Sequence, residues 1–287
     1  MVKNKDDEDK CAPDRNNNYG TCYKASELFK IVKAYNKTVS GDRKIDIERN
    51  YKNMYSKYGE KINKYLAEEL KKKIGLDQDE WMNSDFAKHL SEEDREIFKT
   101  EVFRPEGPSK SEKWLNTTNI DNVLTQYEKK FKDFKYLGTM PRDFQNHEGL
   151  RHNAQYYKKL LSKKPKLGMV YNTDKLGNSG EHWNALFVDL NERTIEFFDS
   201  YGESVDVKKE VLEHMDLLES VMKEITGKKI TKKINEHRAQ YKNSECGVYS
   251  MVFILLRLKG NSFEKVCKWR IPDKKMNEMR DFFFRDE

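Results

Sequence analysis

The sequence predicts an α+β fold in which a helical N-terminal region precedes a domain of short strands packed on one buried helix. Three observations carry this expectation. Apolar residues recur at three- and four-residue steps through the first third of the chain. Short runs rich in β-branched and aromatic residues, bounded by glycine, asparagine and aspartate, fill much of 167–200. One almost wholly apolar run, CGVYSMVFILLRL from Cys246 to Leu258, is too long for a strand and suits a buried helix.

Taken in order, residues 1–22 are polar, include Pro13 and the run Asn16 to Asn18, and are expected to form a flexible tail. From Ala25 to about Leu76, the residues Tyr51, Tyr55, Tyr58, Ile62, Tyr65, Leu66 and Leu70 trace an amphipathic face. Ser91 with Asp94 three residues on resembles a capping box before Ile97 and Phe98. Phe103 to Trp114, FRPEGPSKSEKW, breaks the helical pattern, so residues 23–104 read as a helical arm and 105–287 as a second domain. Ile120 to Phe134 is helical again. Strands are expected over Leu167 to Thr173, His182 to Leu190, Thr194 to Ser200 and Lys228 to His237, with a helix near Val205 to Ile225. Gly260 stops the apolar helix, and Pro272 opens a last one with Met276, Met279 and Phe283 facing inward.

Composition narrows the class. Hydrophobic and charged residues each make up 36% of the 287, which fits a compact core under a densely charged surface. No apolar run approaches the roughly 20 residues of a membrane span, and MVKNKDDEDK lacks the apolar centre of a signal peptide, so a cytosolic or intravirion setting without membrane partners is expected. The net charge of +6 allows weak nucleic-acid contact, through clusters such as Lys71 to Lys73 and Lys163 to Lys166, without arguing for a nucleic-acid function. Cys11, Cys22, Cys246 and Cys267 are too few and scattered for a disulfide framework or a metal knot. Free thiols, no metal and no cofactor are therefore expected.

The chemistry begins in EHWNALFVDLNERTIEFFDSYG, residues 181–202. A loop at Asn191 to Arg193 would pair Leu190 with Thr194 and bring His182 and Asp199 to one end of the sheet. Alternation puts Asp199 with Ile195 and Phe197, and His182 with Leu186 and Val188; both sets are apolar, which leaves open whether the two share a face. An aspartate within hydrogen-bonding distance would set the imidazole tautomer and raise its basicity. A nucleophile arrives in QYKNSECGVYS, Gln240 to Ser250. Cys246 stands where polar loop meets apolar helix, so its sulfur would lie in the first helical turn, whose partial positive charge favours thiolate. Gly247 permits close backbone approach, and Gln240 can project its amide toward the same point as an oxyanion donor.

His182-Trp183, Asp199, Gln240 and Cys246-Gly247, in that order and spacing, resemble the SUMO-deconjugating and adenoviral cysteine protease superfamily. GEHWNALFVD, IEFFDSYG and NSECGVYS are most similar to its polyprotein-processing branch in African swine fever virus and related large DNA viruses. The similarity runs back through Thr117 to Phe131 and on to Arg285. That branch carries asparagine where this chain has Asp199, which is closer to the cellular enzymes; either side chain accepts from histidine. The resemblance implies a papain-like, adenain-like core with a central helix on a mixed, mostly antiparallel sheet. It further implies a catalytic domain over 105–287 that cleaves after Gly-Gly, with a capsid or core polyprotein or a ubiquitin-like protein as partner. Host cytoplasm and virion are the implied locations. Trp183 would then roof a narrow tunnel that admits only residues without side chains. Removal of SUMO-like modifiers and an inactive binding module on the same fold are the competing readings. His237 and Arg238 are left without a role.

Overall fold

A computed structural model of the chain describes residues 10–15, 19–47, 56, 59, 61–202 and 207–286. Within it the chain divides into two compact units, Met1–Pro105 and Glu106–Glu287.

The first unit is helical among its described residues. Helices α1 (Ala25–Asn36), α2 (Lys61–Ile74) and α3 (Glu92–Thr100) enclose a core in which Tyr23 stacks on Trp81 and meets Phe98 and Phe103 edge-on. Ile62, Leu66 and Leu70 turn the inner face of α2 into that core, whereas Tyr65 is exposed; Tyr51, Tyr55 and Tyr58 lie outside the described residues. Ser91 caps α3 by accepting from Asp94 N at 3.1 Å, as its sequence spacing predicts.

Two expectations fail here. Cys11 and Cys22 are not free thiols but a disulfide, with their Cα atoms 5.3 Å apart. Nor are the described residues 10–15 and 19–22 a flexible tail: Cys11 forms a β-bridge with Phe103, Ala12 and Cys22 are buried, and Arg15 pairs with Glu27 at 2.8 Å. Eleven residues of separation say nothing about proximity in space. It is the pairing of Cys11 with Phe103, about ninety positions on, that holds the first cysteine against the helical core where Cys22 already sits.

The second unit is a five-stranded mixed sheet with helices on both faces. Strand β1 (Phe134–Pro141) follows helix α4 (Thr117–Lys130), and α5 (Ala154–Leu161) leads to β2 (Lys166–Asn172). Strands β3 (Trp183–Asp189) and β4 (Thr194–Phe198) form a hairpin; α6 (Lys209–Thr226) then crosses to β5 (Thr231–Ile234). Helix α7 (Cys246–Leu258) is followed by the short helices α8 (Phe263–Lys268), α9 (Asp273–Glu278) and α10 (Arg280–Phe283). Strand order is β1-β2-β3-β4-β5; the two inner pairs are antiparallel and the two outer pairs parallel. Among the described residues no helix is long and apolar enough to cross a membrane.

Ala185, Phe187 and Phe198 turn one face of the sheet toward the apolar helix α7, while Leu186, Val188, Ile195 and Phe197 turn the other toward α5 and α6. The nearly continuous apolar character of β3 follows from this, because a strand buried on both faces has no polar side to alternate. Helix α4 ends at Lys130, short of the Phe134 that its apolar spacing suggests, because Phe134 instead opens β1. That strand escapes the period-two pattern for a visible reason: its register shifts between Tyr136 and Thr139, where Gly138 has φ +98°.

The hairpin register also differs from expectation, by one residue. Asp189, not Leu190, pairs with Thr194, so Leu186 lies opposite Phe197 and Val188 opposite Ile195. A single-residue slip moves a whole strand's side chains to the other face. In the observed register the alternation that contains His182 and the one that contains Asp199 fall together.

Candidate active site

His182 sits just before β3, fixed by its carbonyl, which accepts from Thr173 N at 2.9 Å. Asp199 directly follows β4. The two meet at the sheet end, His182 Nε2 lying 2.9 Å from Asp199 Oδ1, and both are buried. An ionised carboxylate can only accept, so Nε2 carries the proton and Nδ1 is left for the thiol. Cys246, the first residue of α7 and itself buried, lies close enough to His182 to act on its protonation. Burial pulls the imidazole toward its neutral form, but hydrogen bonds and charge from Asp199 and Cys246 outweigh it and raise the His182 pKa to about 9. An imidazolium held in this way can return its proton to a leaving group.

Gln240 is fully buried close by. Its Oε1 accepts from Ser200 Oγ at 2.6 Å, its Nε2 donates to Lys242 O at 2.7 Å, and its backbone N–H bonds to Ser200 O at 2.9 Å. One amide hydrogen is thus committed to the loop and a second remains. Trp183 is buried, with its indole N–H held by Leu115 O at 2.9 Å. A Cβ placed on Gly247 would stand 3.2 Å from Leu115 and 3.3 Å from the Trp183 ring, so glycine is what lets these three close up beside the thiol. Trp114, next to Leu115, is exposed.

Four polar residues that sequence reasoning did not single out hold the carboxylate or cover the imidazole. Asn184 Nδ2 donates to Asp199 Oδ2 at 2.6 Å. Asn235 grips the Asp199 backbone twice, accepting from its N–H and donating to its carbonyl, each at 2.8 Å. Ser200 ties this corner to Gln240. Tyr201 stacks on His182 with ring centroids 4.4 Å apart and planes 17° from parallel, and its N–H donates to Asp199 Oδ1 at 2.8 Å. Asn184 had a sequence signal, since it lies two residues from His182 on one strand face. Asn235 had none, because its role depends on the parallel pairing of β4 with β5.

A thiol in the first turn of a helix, beside an imidazole whose other ring nitrogen is held by a carboxylate that a second polar side chain, Asn184, also grips, defines the cysteine-protease class of site. Comparison with known proteins agrees. Residues 113–287 match the model of the Ulp1 protease family, C-terminal catalytic domain, and the chain belongs to that family. It is 30% identical to a putative thiol protease of Acanthamoeba polyphaga mimivirus over 290 residues, covering 96% of this chain and 93% of that protein. It is 28% identical to the SUMO-1 cysteine protease of African swine fever virus over 200 residues, 64% of this chain and 72% of that one. The crystal structure of an African swine fever virus protease superposes with a TM-score of 0.65 at 21% identity over 97% of this chain and 96% of its own. The molecule is a cysteine protease of the Ulp1 family with viral relatives.

Proposed function

We propose that this protease cleaves after Gly-Gly in viral structural polyproteins during virion maturation, in host cytoplasm and virion. The observation that carries the reading is the closure of Trp183 and Leu115 over Gly247 beside Cys246. With the indole and Leu115 packed tightly at the start of the helix that carries the thiol, a substrate strand that reaches the thiol past the indole is best accommodated where it carries no side chain. Cys246 thiolate attacks the second glycyl carbonyl. The remaining Gln240 N–H and the Cys246 backbone N–H hold the oxyanion, and His182 gives its proton to the leaving amine while Asp199 steadies the imidazolium. Water then releases the acyl-enzyme, with His182 as base.

Peptides that span Gly-Gly-Ala, Gly-Ala-Ala and Ala-Ala-Ala test this. Cleavage confined to the first, and abolished by C246A, supports the reading; equal cleavage of Ala-Ala-Ala overturns the selectivity. Loss of Gln240 as an oxyanion donor should cost about 10²–10³ in rate.

The naming of one viral relative as a SUMO-1 cysteine protease supports a second reading, deconjugation of ubiquitin-like modifiers. Faster turnover of a SUMO-amide reporter than of polyprotein fragments would favour it. An inactive binding module would leave Cys246 unlabelled by a vinyl sulfone probe.

A further inference from the structure

Arg238 lies just beyond the catalytic row and has no part in the mechanism above. Its guanidinium sits over two aromatic rings, 5.4 Å from the Tyr201 centroid and 4.8 Å from that of Tyr241, and its Nε donates to Gln240 O at 2.8 Å. Tyr201 is the ring that stacks on His182. The backbone at this point is equally constrained: Gly202 has φ +61°, and a Cβ on it would stand 2.3 Å from the His237 carbonyl carbon and 2.4 Å from Arg238 N. Segment 237–238 therefore crosses directly over the Tyr201-Gly202 turn. Arg238 is nevertheless exposed, and it forms an ion pair with no carboxylate among the described residues. Tyr241 beside it is 68% exposed.

Two features set Arg238 apart from the many surface lysines. Those ion pairs in which both partners are exposed are worth little, since two flexible chains must be ordered for each. Arg238 is already ordered by two rings and a hydrogen bond, so an incoming carboxylate meets a preformed, planar donor and little side-chain entropy remains to be lost. Its position also gives it a side. The group that protonates the leaving amine must lie along the leaving segment, so residues after the scissile bond pass over His182 and its neighbours. From the imidazole to the guanidinium is at most about 10 Å, or about three residues of extended chain.

We propose that Arg238, framed by Tyr201 and Tyr241, forms a subsite on the leaving-group side that takes an acidic side chain within the first three residues after the scissile bond. This rests on the reading of His182 as the acid of the reaction, and the test separates the two. Peptides carry Asp, Ala or Lys at each of the three positions after Gly-Gly. Wild type, R238Q and R238E are compared by kcat/KM, and C246A and C246A/R238E by the peptide Kd. At one position the wild type prefers Asp to Lys by roughly tenfold, the yield of one charge-assisted hydrogen bond. That ratio falls toward one in R238Q and inverts in R238E, and the Kd values follow the same order. A ratio that R238E leaves within twofold of wild type, or the absence of any Asp-over-Lys preference at all three positions, overturns the subsite. If no peptide is cut but C246A still prefers Asp in an Arg238-dependent manner, the cleavage reading fails and the subsite stands.

Discussion

Asn184 Nδ2 lies 2.6 Å from Asp199 Oδ2, the carboxylate oxygen that His182 does not use. With one oxygen held by Asn184 and the other by His182 and the Tyr201 N–H, the carboxylate has no freedom to rotate away from the imidazole. Asn184 is a positioning residue, and its replacement tests that. N184L keeps the volume and removes the donor. It is expected to lower kcat by about 10–100-fold, the value of one hydrogen bond to a charged group, with KM nearly unchanged. Equal losses in kcat and in thermal stability, or a rise in KM alone, would assign Asn184 to folding or substrate binding instead.

The pH profile follows from His182. Its pKa is raised from 6.5 to about 9, so the imidazolium persists through neutrality and is lost as pH rises through 9. The protonated form is the acid of the reaction, so kcat/KM should fall on the alkaline side with an apparent pKa near 9. D199N removes the carboxylate that raises the value and leaves the burial that lowers it. The alkaline limb should then move to lower pH, and an unmoved limb would show that another group titrates there. The same sign applies to stability: the His182–Asp199 pair contributes in full below pH 6.5, and that contribution is lost as pH rises through 9.

Far from the site, Arg257 on α7 meets Glu196 on β4 in a buried two-point pair, with Nε–Oε2 at 2.5 Å and Nη2–Oε1 at 2.9 Å, and also reaches Glu192 at 2.6 Å. This pair joins the helix that carries the thiol to the strand that leads to Asp199. Burial pushes the Glu196 carboxyl up, and Arg257 opposes it. R257M leaves the carboxylate buried and unpaired, and should cost about 3–5 kcal/mol in urea unfolding. The double variant R257M/E196M should recover much of that loss. Equal destabilisation of single and double variants would mean that packing, not charge, is what Arg257 supplies.

The Cys11–Cys22 disulfide predicts a thiol count. Denatured, unreduced protein should yield two free thiols per chain with Ellman's reagent, from Cys246 and Cys267, and four after reduction. C11S/C22S removes a short cross-link and should cost at most about 3 kcal/mol by the loop-entropy argument. A count of four before reduction would refute the bridge.

Local features of this protein were legible because they depend on neighbours in the chain. The Ser91 cap, the stop at Gly260 and the burial of CGVYSMVFILLRL all follow from residues a few positions apart, and the structure contains each of them. The same holds for Cys246: a polar loop that yields to an apolar helix places a side chain in the first turn whatever the rest of the chain does. Strand β1 was hidden because its bulge breaks the alternation, and the disulfide because chain separation does not measure distance.

By itself the sequence determined which groups were available: a thiol at a helix start, a histidine at a strand start, an aspartate at a strand end and an amide six residues before the thiol. Tertiary structure decided how they are held. Pairing Asp189 rather than Leu190 with Thr194 is worth one residue, and it places Asn184 on Asp199 and Tyr201 against His182. The parallel pairing of β4 with β5 brings Asn235 to the Asp199 backbone. Register has a period of two and both faces of this hairpin are apolar, so hydrophobic pattern could not choose between neighbouring registers. The packing of α7 on one face and α6 on the other did.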